Sequence, residues 1–480
     1  MSDFNLLPLL PEIFMALVAM GLLIVGVTRG NESCPVTSWA SVIGVVIAGL
    51  FMFGISWDRE IVLNGLFVFD SFAGMMKMMI MMGIIVSLSL SVRFLQQENV
   101  CRFEYPVLVM FAGIGMMLMV SANNMLSLYM ALELQSLSLY VLAAFQRNSY
   151  RSSEAGIKYF ILGALSSGML LFGISLIYGF TGSLDFVNIQ STLFSLGLIS
   201  PGFTVGLVFV LAGLAFKISA VPFHMWTPDV YQGAPTSVTA FFAIVPKVAA
   251  MGLLMRLLFE PFAAAIDQWV QIIYFVALGS MIVGAFAAIA QNNIKRLMAY
   301  SSIGNVGYAL IGIVAGTPEG VSAVILYMMI YMIMTAGVFA IILSMRRNEM
   351  RVESITDLAG LSRTAPFQAY GMAILMFSMS GIPPMAGFFG KLAVFQAAVA
   401  QEYYVLAVIG IVTSVVAAFY YLRVIKVMFF DEAIDALDKE LSPARRVVLI
   451  WALAFVMLFV LRPGIFIQST QSAAAALFLG

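Results

Sequence analysis

Apolar windows of about 20 residues, the length needed to cross roughly 30 Å of hydrocarbon, recur fourteen times along the chain. They open near Leu9, Ser38, Phe72, Pro106, Asn124, Ile157 and Phe203, then near Pro235, Ile266, Ile294, Val321, Phe367, Tyr404 and Arg446. The polar stretches between them are mostly short. This pattern predicts an all-α polytopic membrane protein of about 14 transmembrane helices, in one compact unit without a linker. Two windows carry helix breakers. In AFKISAVPFHMWTPDVYQGAPTSVTAFFAIVPK, Ala215 to Lys247, Lys217 stands five residues before Pro222 and Lys247 directly follows Pro246. In SGIPPMAGFFGK, Gly381, Pro383 and Pro384 precede Lys391. Proline removes a backbone donor and clashes with the preceding turn, so each helix is expected to break and leave carbonyls that water or a cation can use. Two broken helices, each with an intramembrane lysine, point to ion translocation; a simple kink at each proline is the alternative.

The middle of the chain also hints at repetition. Asn123 and Asn124 return as Asn292 and Asn293, an offset of 169, and Lys217 is echoed by Lys391, an offset of 174. Each offset spans five windows, and an odd number reverses the direction of crossing. The pattern therefore predicts inverted five-helix repeats, an architecture in which ion sites lie near the midplane on interrupted helices. Chance similarity between apolar segments is the competing explanation. The expected division is 1–105 for three N-terminal helices, 106–262 and 263–432 for the two repeats, and 433–480 for one C-terminal helix.

Composition agrees with the windows. Of 480 residues 62% are hydrophobic and only 10% charged, with a mean hydropathy of +1.02, too little polar surface to cover a water-soluble globule. A net charge of zero offers no broad basic face for nucleic acid. A single histidine rules out haem held between two histidines. Cys34 and Cys101 are expected to form no disulfide framework. MSDFNLLPLLPEIF lacks the basic start and cleavage site of a signal peptide, so the first window is read as a retained helix. Of the 24 lysines and arginines, only Arg59, Arg256 and Arg462 follow even-numbered windows, and Lys77, Lys217, Lys247 and Lys391 lie inside windows; the rest, from Arg29 to Arg446 and including Lys439, follow odd-numbered ones. By the positive-inside tendency, odd-numbered helices end in the cytoplasm and both termini face outward. That orientation places both cysteines on the reducing side.

The charges inside the windows carry the chemistry. Glu133, Lys217, Lys247 and Lys391 each oppose insertion by about 2.5 to 3.5 kcal/mol, roughly 10 kcal/mol together. Glu133 is the expected counter-charge for a lysine, as a static ion pair or as part of a switch. Three lysines and one glutamate cannot all pair as ions. At least one lysine is therefore expected to be neutral part of the time, the condition for taking up and releasing a proton. His224 can relay protons, since histidine ordinarily titrates near 6.5, or can simply be hydrogen bonded in place. Lys158 has an i,i+4 partner in Glu154. Lys77, within AGMMKMMIMM, is expected to snorkel to the outer interface.

The long segment Ala215 to Lys247, together with SMSGIPPMAGFFGK, resembles the antiporter-like membrane subunits of the proton-pumping NADH:quinone oxidoreductase, complex I. That group is similar to the subunits of Mrp-type cation/proton antiporters. The resemblance runs from about Asn123 to Phe430, and WTPDVYQGAPTSVTAF with a lysine in the GIPP helix matches subunit N better than subunits L and M. It implies that Glu133 modulates Lys217, that Lys247 connects, that Lys391 hands the proton outward, and that Lys158 takes part. It also implies no cofactor in this subunit, with NADH, FMN, iron–sulfur clusters and quinone elsewhere in the complex. The implied partners are neighbouring membrane subunits and the bilayer, in a bacterial inner membrane. A subunit of a Mrp-type antiporter is the alternative, and a passive scaffold whose ion pairs only hold helices together is a second.

Overall fold

The computed structural model describes residues 5–196, 199–432, 437–438 and 441–478; Lys439 lies outside them. The chain is helical almost throughout. It begins with α1 (Leu10–Arg29), α2 (Cys34–Phe51) and α3 (Ser71–Gln97), with a small hairpin of β1 (Glu60–Val62) and β2 (Phe67–Phe69) before α3. Then come α4 (Glu104–Val120), α5 (Met125–Ala143), α6 (Tyr150–Thr181), α7 (Phe186–Leu196), the pair α8 (Pro201–Ile218) and α9 (Trp226–Gly233), and the pair α10 (Thr236–Ile244) and α11 (Pro246–Phe259). Next are α12 (Ile266–Ile289), α13 (Ile294–Val314) and α14 (Pro318–Ile342). A second hairpin of β3 (Arg346–Arg347) and β4 (Met350–Arg351) leads to α15 (Leu361–Thr364), the pair α16 (Pro366–Ser380) and α17 (Ala386–Ala400), and α18 (Tyr404–Phe430). The C-terminal segment holds α19 (Pro443–Leu458) and α20 (Pro463–Ala475).

Among the described residues, twelve helices are long and apolar enough to cross a membrane. The two remaining windows are the shorter α4 and the broken α16/α17 pair. Prolines fall in the first turn of α1, α2, α8, α11, α14, α16, α19 and α20, where a missing backbone donor does no harm. The C-terminal segment was expected to be one helix; it is two, because Pro463 starts α20 after a turn, and α20 packs on α3 and α14.

The spans through α10/α11 and α14 are completely buried and form the centre of the bundle. The outer helices expose large apolar side chains such as Leu17, Phe172, Phe275 and Phe419, a surface that suits hydrocarbon and not water. The two halves follow one order of elements: α4, α5, α6, α8/α9 and α10/α11, then α12, α13, α14, α16/α17 and α18. The paired asparagines have matching local roles. Asn124 caps α5 by accepting from the Leu126 N–H, and Asn293 caps α13 by accepting from Lys295 and Arg296 N–H groups. Each also bridges to a later loop: Asn124 donates to Asp185 (2.5 Å) and Asn293 to Glu353 (3.0 Å). The halves differ at one point, since α18 has no counterpart to the break between α10 and α11.

Cys34 and Cys101 are joined in a disulfide, against the expectation from sequence. Sixty-seven residues separate them along the chain, and the hairpin of α1 and α2 packing on α3 and α4 brings their Cα atoms to 5.8 Å. Two cysteines alone carry no pattern from which that proximity can be read.

Candidate functional site

The breaks set the site. α8 ends at Ile218, one residue after Lys217, with Ser219 left-handed at the cap (φ 62°). The lysine is thus held on the last turn, facing α5. Its Nζ donates to Ser136 Oγ at 2.7 Å and to Tyr140 OH at 3.4 Å. Glu133 lies on the same helix as both partners, one and two turns earlier, but forms no ion pair with Lys217 within 4.0 Å, and its Oε1 is buried without a hydrogen-bond partner. The expected direct pairing is therefore absent: the ammonium is held by neutral hydroxyls, with the carboxylate nearby along α5.

Lys391 shows what the second break supplies. α16 stops at Ser380, and Lys391 Nζ reaches back from α17 to the Ser380 carbonyl at 3.0 Å, with Ser414 Oγ at 2.7 Å and the Tyr308 ring beneath it at 4.8 Å. A carbonyl freed at a helix end is used by a cation. The break is tight. At Gly381 (φ +89°) a Cβ would stand 3.0 Å from the Lys391 side chain, and at Gly387 it would stand 1.9 Å from the Ser378 carbonyl oxygen. Lys247, at the start of α11, is fully buried; among the described residues its Nζ has no hydrogen-bond partner, and it stands 5.8 Å from the Tyr231 ring centre.

Between Lys247 and Lys391 lies a belt of uncharged hydroxyl and amide groups from α13, α14 and α18. Tyr331 OH donates to Ser302 Oγ (2.8 Å), and Tyr327 OH donates to Asn305 Oδ1 (2.7 Å). Asn305 Nδ2 donates to the Ser301 carbonyl (2.8 Å), Ser301 Oγ meets Tyr421 OH at 2.6 Å, and Tyr308 OH donates to Thr413 Oγ1 (3.5 Å). Hydroxyls both donate and accept, so such a belt can pass protons where it is hydrated. These groups escaped notice in the sequence because serine and tyrosine are ordinary in apolar helices, and only packing aims them at the lysines.

A second set of charges lies at the opposite end of the first broken helix. Lys158 on α6 meets Glu154 at 2.8 Å, as its spacing predicts, and also Asp229 on α9 at 2.9 Å. Arg296 from α13 takes the other Asp229 oxygen at 2.7 Å. Asp229 therefore links both halves of the bundle. Beside it, buried Lys295 meets Glu353 at 2.8 Å and donates to the Ala234 carbonyl at 3.1 Å. Burial of the Glu353 carboxyl acts to raise its pKa, but Lys295 and Arg351 beside it and the Asn293 hydrogen bond outweigh this and hold it below the ordinary glutamate value. His224 sits in the turn between α8 and α9, half-buried, its Nδ1 buried without a hydrogen-bond partner among the described residues.

Two basic residues depart from expectation. Lys77 does not snorkel: it is fully buried, 2.6 Å from Glu12 of α1 though off-axis for a hydrogen bond, with the Phe69 ring 4.8 Å away. Arg256, read as a loop charge, lies inside α11 and holds Asp70 with two nitrogens (2.8 and 3.0 Å), Glu260 (2.9 Å) and the Val120 carbonyl (2.8 Å). In both cases a carboxylate distant in sequence is the partner, and an isolated window does not reveal it.

The family model described as NADH:quinone oxidoreductase/Mrp antiporter, TM, matches residues 122–417. The chain is 53% identical over 473 residues to a Rhodospirillum rubrum protein named NADH-quinone oxidoreductase subunit N, covering 98% of this chain and 97% of that one. A chain of respiratory complex I from Thermus thermophilus superposes with a TM-score of 0.82 at 30% identity, over 95% of this chain and 98% of its own length. A chain of the Mrp complex from a Dietzia species superposes with a TM-score of 0.84, over 100% of this chain and 98% of that chain. Its identity is 21%, which speaks for the fold alone.

Proposed function

The chain belongs to the NADH-quinone oxidoreductase subunit N family, and on that premise we propose that it is a proton-translocating, non-redox membrane subunit of complex I. NADH oxidation and quinone reduction take place in other subunits, which hold the FMN and iron–sulfur clusters, and this chain couples them to proton movement. In this reading 106–262 and 263–432 are the two antiporter-like repeats, flanked by 1–105 and 433–480. The chain sits among neighbouring antiporter-like and small membrane subunits in a bacterial inner membrane, with both termini on the outer side.

The observation that carries the mechanism is that Lys217, Lys247 and Lys391 are buried without an ion pair among the described residues, each beside hydroxyl or aromatic groups. A lysine held this way can exist with or without its proton at modest cost, whereas a salt-bridged one is locked in the charged form. Approach of Glu133 to Lys217 stabilises the ammonium, and withdrawal releases a proton toward Lys247, the hydroxyl belt and Lys391. Moving one charge against 100 mV costs about 2.3 kcal/mol, and one buried carboxylate can supply electrostatic energy of that order. Lys158 and His224 stand at the entrance to this route.

Replacing Lys217 or Glu133 with alanine in the assembled complex is expected to reduce proton pumping and quinone reduction together, and unchanged rates in both variants overturn the switch. The shared fold leaves a stand-alone antiporter subunit as the second reading. Co-purification with flavin- and iron–sulfur-containing subunits supports complex I, and a flavin-free set of membrane subunits supports the antiporter.

A further inference from the structure

A groove of about 690 Å³ opens on the side of the bundle between α1, α4, α5 and α6. Its walls include Val107, Leu108 and Phe111 on α4, Val141 on α5, and Ile157 and Phe160 on α6. Glu104, Val107, Leu108 and Phe111 of α4 line it along roughly 10 Å of helix. Val141, Ile157 and Phe160 are exposed, so the groove opens toward the surface that hydrocarbon covers.

One end is chemically different. Arg102, in the connection between α3 and α4, and Arg147, between α5 and α6, both line it. Neither guanidinium has a hydrogen bond or ion pair among the described residues. Glu104 shares the lining, half-buried, with Oε2 buried and without a hydrogen-bond partner among the described residues. Two cations therefore face the groove without an ion pair among the described residues, and a carboxylate oxygen there lacks a donor. The Cys34–Cys101 disulfide anchors the connection that carries Arg102.

We propose that this groove binds one anionic glycerophospholipid of the bilayer, its phosphate between Arg102 and Arg147 and an acyl chain along α4, α5 and α6. Basic pockets between helices at a membrane interface recognise anionic headgroups. Arginine also matches phosphate oxygens in a two-pronged geometry. Glu104 disfavours a second negative charge but accepts a headgroup hydroxyl, which selects a phosphatidylglycerol type of head. Tyr140, which lines the same groove, also touches Lys217 Nζ. A chain lying there would restrict that ring. The inference requires only that the protein spans a bilayer, not that it moves protons.

The test uses the intact complex, purified in mild detergent, with bound phospholipid counted by native mass spectrometry. Wild type and the R102K/R147K variant are expected to retain phosphatidylglycerol, whereas R102Q/R147Q loses about one molecule per complex. Incubation with phosphatidylglycerol vesicles should restore that molecule to delipidated wild type, and phosphatidylcholine vesicles should not. If the glutamine pair fails to assemble, V141W decides: it fills the groove with both arginines intact and should lose the same lipid. Equal lipid content in all variants overturns the proposal, as does equal reloading by phosphatidylcholine or density for a neighbouring subunit's helix in the groove.

Discussion

At the scale of the residue, the membrane interior sorts lysines by their partners. Lys77 has a carboxylate at 2.6 Å, and the pair is sealed from solvent on both sides. Lys217 and Lys391 have hydroxyls and a carbonyl, and Lys247 has a ring. The first arrangement fixes charge and the second permits its loss. Glu12→Gln is therefore expected to destabilise the assembled subunit by about 3–5 kcal/mol, because it leaves Lys77 as an uncompensated buried charge. Thermal unfolding of the purified complex measures this. Loss of stability should exceed any loss of turnover in complexes that do assemble, the reverse of the pattern expected at Lys217.

At the scale of the element, the break between α16 and α17 works only because two glycines let backbone and side chain approach closely. A Cβ at Gly387 would meet the Ser378 carbonyl oxygen at 1.9 Å, so Gly387→Ala must push α17 away from α16. Lys391 rides on α17 one turn later and takes its carbonyl partner from the last residue of α16. The shift should separate the two, and pumping is expected to fall by at least tenfold while the complex still assembles. Proton uptake into vesicles and quinone reduction, each measured per assembled complex, read that effect. Unchanged rates of both would mean that the Ser380 carbonyl plays no part. The first break differs in kind, since its lysine lies at the helix end itself, before a left-handed Ser219.

At the scale of the whole molecule, connections at one end of the bundle are tied by charge. Glu98 meets Arg346 at 2.7 Å, Asp357 meets Arg347 at 3.3 Å, Asp229 joins Lys158 and Arg296, and Glu353 joins Lys295. Glu353 is held below its ordinary value of 4.5. A carboxylate depressed in the folded state contributes stability that is present above its ordinary value and is lost as pH falls through the lower, folded one. Glu353→Gln should thus lower the unfolding temperature at neutral pH, where it strands Lys295. The gap to wild type should narrow below about pH 4.5, as the native carboxyl protonates. A gap independent of pH would show that the carboxylate charge contributes nothing.

The sequence by itself determined the membrane class, the all-α architecture and the two interrupted helices with their lysines. Each depends on local chemistry: window length, the missing donor of proline, and the cost of charge in lipid. The tandem asparagines pointed only to a repeat; the structure shows that Asn124 and Asn293 are also helix caps. Tertiary structure alone decided what faces each charge. It turned Lys217 toward Ser136 and Tyr140 and away from a direct pair with Glu133, and it buried Lys77 on Glu12 and Arg256 on Asp70. It also brought Asp229 between both halves and joined Cys34 to Cys101. These partners lie up to 186 residues apart. Helix packing sets such distances, and a periodic pattern records which face of a helix is apolar but not which helix it meets.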